Sequence, residues 1–323
     1  MRKLLLILMV GVFVPSWLQG AEIRLGVEVE FRTFYFQRQR PNSSFQLREG
    51  ILFFDTFISE NASALLEFVL KKELRSSQLE RGYFIWRELP LNTQIKFGQF
   101  RIPFGFWDAY TIDRSLIKNS FVGEDENFPQ FKLRKLDVGV EVRTSVNHVN
   151  LVLAVINGTS LDASIDENNH KDLVVSLGHV GTSFSLHMNT YFGTTQRLKS
   201  VMDANIPETR NLYAVGADFI ATKGNLTLSG EFVNLKYESL RSVGAYLQFN
   251  YDLLEYLFGL RLIGKIEYWN PNTNRAGDDL VQAILGVKQT LVRGMTLQIE
   301  YRYHTHQTES HNNGVMLEME LEL

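Results

Sequence analysis

From residue 22 onward the chain alternates apolar and polar side chains with a period of two rather than 3.6. Ile23, Leu25, Val27, Val29 and Phe31 are apolar, while Arg24, Gly26, Glu28, Glu30 and Arg32 between them are charged or glycine. The stretch Gly294 to Tyr303 repeats the pattern. At the end, Val315, Leu317, Met319, Leu321 and Leu323 alternate with Met316, Glu318, Glu320 and Glu322. Successive side chains of a strand point to opposite faces, so each such segment has one greasy and one charged face. A soluble sandwich buries the greasy face against a second sheet. A transmembrane barrel turns it to lipid and the charges to a watery lumen.

Strand length and number separate these two folds. The pattern predicts strands over 22–36, 44–58, 62–74, 78–88, 92–101, 134–146, 148–157, 171–180, 182–195, 209–222, 224–237, 240–252, 258–270, 278–290, 294–305 and 312–323. Most reach ten residues, against the usual five or six of a globular strand. A tilted strand needs about 9 to 11 residues to cross a bilayer. An even number of antiparallel strands closes without leaving unpaired backbone groups in lipid. The connections agree in phase. Even ones are mostly short (59–61, 89–91, 147, 180–181, 223, 292–293), while odd ones include the long 102–133, 158–170, 196–208 and 271–277. Outer-membrane barrels alternate short periplasmic turns with long external loops in this way. The fold class read from the sequence is therefore an all-β, antiparallel transmembrane barrel of about 16 strands. Tyr35, Phe36, Trp86, Trp107, Tyr191, Phe192, Tyr268, Trp269, Tyr301 and Tyr303 fall near strand ends, where interfacial aromatics gather.

Composition narrows the function. Cysteine is absent, which removes disulfides, thiolate metal sites and a cysteine nucleophile. A net charge of -3 gives no basic face for nucleic acid. The 23 Phe and 12 Tyr against 7 Pro favour strands. Arg2 and Lys3, the apolar run Leu4 to Pro15, and small Gly20 and Ala21 read as a signal peptide over 1–21. The expected mature domain is 22–323, bound for the bacterial outer membrane with its lipid as surroundings.

The third odd connection, about 102–133, is the longest. Unstructured loops of that length are commonly functional or disordered. Its apolar content (Phe104, Phe106, Trp107, Tyr110, Ile112, Leu116, Ile117, Phe121, Phe128 and Phe131) must pack somewhere, and the inner barrel wall is the surface on offer. A loop folded into the pore puts Asp113, Arg114, Lys118, Glu124, Asp125, Glu126 and Lys132 across the path of solutes, with Arg101, Arg134 and Lys135 at its roots. Charges in a narrow pore bias which ions enter. These ten are the candidate constriction and solute-binding residues.

From Phe97 onward the chain resembles the phosphate-selective porin O/P family of bacterial outer-membrane proteins. The resemblance is carried by Gly98-Gln99-Phe100-Arg101-Ile102-Pro103-Phe104-Gly105 and Ile112-Asp113-Arg114-Ser115-Leu116. It continues in Ile156-Asn157-Gly158-Thr159, Asp166-Glu167-Asn168-Asn169 and Lys171-Asp172. Leu226-Thr227-Leu228-Ser229-Gly230-Glu231-Phe232, Tyr268-Trp269-Asn270-Pro271-Asn272 and Tyr301-Arg302-Tyr303 complete it. It implies a 16-stranded barrel, a homotrimer, and a third loop inside the pore. Phosphate selectivity is not implied with equal force. Segment 102–133 sets Arg114, Lys118 and Lys132 against Asp108, Asp113, Glu124, Asp125 and Glu126, so no dominant basic funnel is present. The terminal Leu323 also departs from the aromatic residue usual at this position.

Enzyme chemistry is not expected. Ser185, His187 and Asn189 share one strand face, but that face looks into the lumen while Phe184, Leu186 and Met188 look to lipid. His304, His306 and His311 lie near the last external loop without a completing carboxylate set beyond Glu309, so no metal or other cofactor is expected. The expectation is a porin passing small hydrophilic solutes or ions by diffusion, with the third loop setting preference. The alternative is a plugged barrel with a structural or surface-interaction role.

Overall fold

A computed structural model of the chain describes residues 22–36, 43–71, 77–105, 136–158, 170–196, 209–237, 240–253, 259–270, 272–274, 279–292, 294–306 and 314–322. Among these residues the chain forms sixteen strands: β1 (Glu22–Phe36), β2 (Ser43–Ser59), β3 (Ala62–Lys71), β4 (Ser77–Leu89), β5 (Thr93–Arg101), β6 (Leu136–Val146), β7 (Val149–Ile156), β8 (Asp172–Val180), β9 (Phe184–Gln196), β10 (Thr209–Lys223), β11 (Leu226–Tyr237), β12 (Leu240–Asp252), β13 (Leu260–Asn270), β14 (Leu280–Val292), β15 (Met295–His306) and β16 (Gly314–Glu322). Each strand pairs antiparallel with the next, and β1 closes on β16 through Glu28–Phe36 against Gly314–Glu322. The strand expectations hold to within about three residues. The expected end of the third strand, 72–74, lies outside the described residues, as does the signal segment 1–21.

Turn chemistry explains the tight ends. Asn147 (φ 47) and His148 (φ 70) form the two-residue link between β6 and β7. Two consecutive left-handed residues match the strand twist of a hairpin. Pro90–Asn92 makes a 3-10 turn between β4 and β5, with Leu91 at φ 62, which moves the start of β5 to Thr93. The connection between β12 and β13 is longer than its short counterparts and is closed by Leu253 N donating to Leu260 O at 2.8 Å.

The two faces of the wall differ as the alternation requires. Leu25, Met188, Ile266 and Leu285 are 61%, 66%, 56% and 63% exposed on the outside. Water-soluble monomers do not expose an apolar band of this extent, so the surrounding medium is lipid. The aromatic expectation needs correcting in part. Trp86, Phe192, Tyr268, Tyr301 and Tyr303 do face outward, but Tyr191 and Trp269 are buried inside the barrel. Each follows or precedes an outward residue by one position, and a single step along a strand reverses the face.

Candidate pore lumen

The inward faces divide the lumen into two levels. At the end carrying the long connections, the wall is mainly apolar: Phe100, Ile156, Val174, Leu212, Val233 and Trp269 belong to one buried cluster. Below it the wall is charged. Lys96 Nζ lies 3.2 Å from Glu141 Oε2, and Arg143 approaches the other carboxylate oxygen at 3.2 Å. Arg302 donates to Glu300 Oε2 at 2.6 and 2.8 Å, and Gln298 also donates to Glu300. Arg81 pairs with Glu67. Further round, His187 Nδ1 lies 3.0 Å from Asp218 Oδ1, and Asn189 Nδ2 donates to Asp218 Oδ2 at 2.6 Å. Glu141 and Glu300 are both 0% exposed. Charges so shielded persist because each is met by a partner or hydrogen bond.

The first residues of the third odd connection turn into the lumen. Ile102, Pro103, Phe104 and Gly105 are all buried. Phe104 backs onto Gly216 of β10, where a β-carbon would stand only 3.1 Å from its ring. Gly105, at φ 66, lies against Glu231 of β11, and a β-carbon there would collide with the Glu231 carboxylate. Pro103 and Gly105 also cover a small cavity lined by Arg143, Ser176, His187 and Asn189. Four residues past Arg101 the chain has advanced at most about 14 Å. Contact with β10 and β11 within that reach means the lumen is narrow in this direction.

Two aspartates fix the neighbouring long connections at their roots. Asp137 accepts from Gly158 N (3.0 Å) and Val138 N (2.7 Å). Asp172 accepts from the Tyr191 hydroxyl and from Thr194 N (2.9 Å). A β-carbon at Gly193 would collide with the Asp172 carboxylate, which is why glycine stands there. The quoted stretches around Gly158 and Asp172 are therefore parts of the scaffold.

Of the ten candidate residues, Arg101 alone lies among the described ones. It pairs with Leu136 at the end of β5, on the parity of outward Phe97 and Val140 rather than of inward Lys96 and Phe100. Asp113, Arg114, Lys118, Glu124, Asp125, Glu126, Lys132, Arg134 and Lys135 lie outside the described residues. The wall charges Glu141, Asp218, Glu231, Lys265, Glu267 and Glu300 were not singled out by sequence reading. Each was visible as an inward-parity charge, but which charges meet depends on register. Ser185, His187 and Asn189 do share the inner face; the Asp218 that binds the latter two comes from the next strand.

No protein-family model matches the chain, and no curated protein matches it in sequence. Solved structures do share its fold. Salmonella typhi OmpF in complex with daunomycin superposes at TM-score 0.67 with 13% identity, over 94% of this chain and 98% of that one. The anion-selective porin from Comamonas acidovorans gives 0.67 at 10% identity, over 94% and 100%. A loop L8 deletion mutant of OmpT, an outer membrane protein of Vibrio cholerae, gives 0.69 at 12% identity, over 94% and 100%. The fold is that of the outer-membrane β-barrels of porin type.

Proposed function

We propose that the chain is an outer-membrane porin that passes small hydrophilic solutes or ions by diffusion and is not an enzyme. The observation that carries this reading is a closed sixteen-strand barrel with an apolar outer face and a charged inner one. A barrel of about this strand number leaves room for an aqueous channel. Residues 1–21 act as the export signal, 22–323 form the barrel, and three copies assemble as a homotrimer. The third odd connection sets size and charge preference, a role supported by the inward course of Ile102 to Gly105. The finer kinship with the phosphate-selective porin O/P family rests on the sequence stretches around Gly98 to Gly105 and Tyr268 to Asn272.

Refolded protein in a planar bilayer tests the reading. Stable open steps are expected, and Phe104→Ala, which frees the third connection from Gly216, is expected to raise their conductance. An unchanged step in that variant would remove the connection from the selectivity role. A second reading, a plugged barrel serving structure or surface contact, is favoured by the complete burial of Glu141 and Glu300. It predicts folded protein with no conductance.

A further inference from the structure

The outward face of the wall changes character at the end carrying the long connections. Tyr213 of β10 stands directly opposite Lys236 of β11, and Lys236 directly opposite Arg241 of β12. All three are exposed, on the parity of outward Phe232 and Leu247. Like charges directly opposed on neighbouring strands repel, and among the described residues neither cation meets a carboxylate. Arg241 is aimed instead by Asn234, whose Oδ1 accepts from its Nε at 3.0 Å. The two terminal nitrogens of the guanidinium then face outward. On the same row the Tyr213 ring packs against Phe192 of β9, with centroids 5.0 Å apart. Further in, the same face is greasy, with Phe232, Leu247 and Ile266 exposed. Lys236 and Leu226 lie at opposite ends of β11. For a strand tilted by about 40° their separation is a rise of about 25 Å, matching the height of the apolar band of such barrels. Lys236 and Arg241 thus stand at headgroup level. On the outward faces of β9 to β16, no other described residue at this end is charged.

We propose that Lys236 and Arg241 form a docking surface for a phosphorylated lipid of the outer leaflet, with its phosphate between the two cations and its acyl chains along Phe232, Leu247 and Ile266. Long connections of outer-membrane barrels lie on the external side, so the lipid met at this level is the phosphorylated glucosamine lipid of that leaflet. The charges are complementary. A guanidinium fork takes two phosphate oxygens at once, and the neighbouring ammonium neutralises further charge. An anion between the two cations also relieves their mutual repulsion. Tyr213 suits the same level, because its ring and hydroxyl bridge the greasy and wet zones. Free phosphate meets only half of this surface, since the greasy strip offers it nothing. The inference concerns the outside of the barrel and holds whether or not the lumen conducts.

The test titrates the folded barrel in a neutral detergent with bisphosphorylated lipid A and counts bound lipid by native mass spectrometry. The wild type is expected to retain the lipid. Lys236→Gln and Arg241→Gln are each expected to weaken binding about fivefold, and the double variant about 25-fold. Lys223→Gln removes an exposed charge at the opposite end of β10 and is expected to change nothing. An equal loss in Lys223→Gln, or no loss in the double variant, overturns the docking surface. Folding of each variant is judged by heat-dependent gel migration. A second measurement uses the wild type alone and so does not depend on any variant folding. Lipid A stripped of its phosphates is expected to bind far more weakly, and inorganic phosphate at the same concentration is expected not to displace the intact lipid. Equal retention of the two lipids overturns the proposal, as does displacement by inorganic phosphate.

Discussion

Along β8, Val174 and Ser176 lie two residues apart on the same inward face, 0% and 7% exposed, yet they belong to different surroundings. Val174 packs among Phe100, Ile156, Leu212 and Trp269, whereas Ser176 borders the cavity shared with Arg143, His187 and Asn189. A step of about 7 Å along a strand thus crosses from a layer held by close packing to one held by paired charges. The upper layer resembles the interior of a soluble protein, and it seats Phe104. The lower layer keeps its charges because the charges satisfy one another. Inner walls of a barrel need not be uniformly wet, and here the dry part lies beside the connection that turns inward.

Substitutions can break or sharpen this contrast, read by urea unfolding of the barrel in lipid vesicles. Trp269→Ala in the apolar layer is expected to cost the most, about 4 kcal/mol, since it removes the bulkiest fully enclosed inward side chain among the described residues. Arg302→Met comes next at about 3 kcal/mol. It leaves Glu300 buried with Gln298 as its remaining partner among the described residues, and stranding one member of a buried pair is costly. Val174→Thr keeps the shape but places a hydroxyl in the apolar layer, for about 1 to 2 kcal/mol. Ser176→Ala, one level down, is expected to cost only about 0.5 kcal/mol. If Arg302→Met proved cheaper than Val174→Thr, the lower level would be open to water and the contrast would fail.

The strands were legible because lipid outside and charge inside impose the same period on every segment. The bounds of β1 and β12 follow from alternation alone. Connection lengths were legible too, since odd and even links differ in kind. The site was far less so. Asp218, Glu231 and Glu267 are ordinary inward positions on their own strands, and the sequence distance from Asp218 to Glu267 conceals that they sit side by side. Register decides that, and a period of two constrains register only to the nearest even step. The inward side of Tyr191 and Trp269 was missed for a related reason: each sits beside an outward aromatic, and composition near a strand end does not say which of the two faces lipid.

The connectivity has a consequence for how such a chain matures. Every strand bonds to its sequence neighbour except at one seam, where β1 meets β16 across nearly the whole chain. All other pairings are local and are reached quickly, while the seam demands the slowest search. Until it zips, two edges of unpaired amides face hydrocarbon, where each unmet group is costly. A nearly complete barrel is therefore scarcely better placed in the bilayer than a half-built one. Loss of Gly314–Glu322 would take away one strand of sixteen and, with it, the closure between β1 and β16 seen among the described residues.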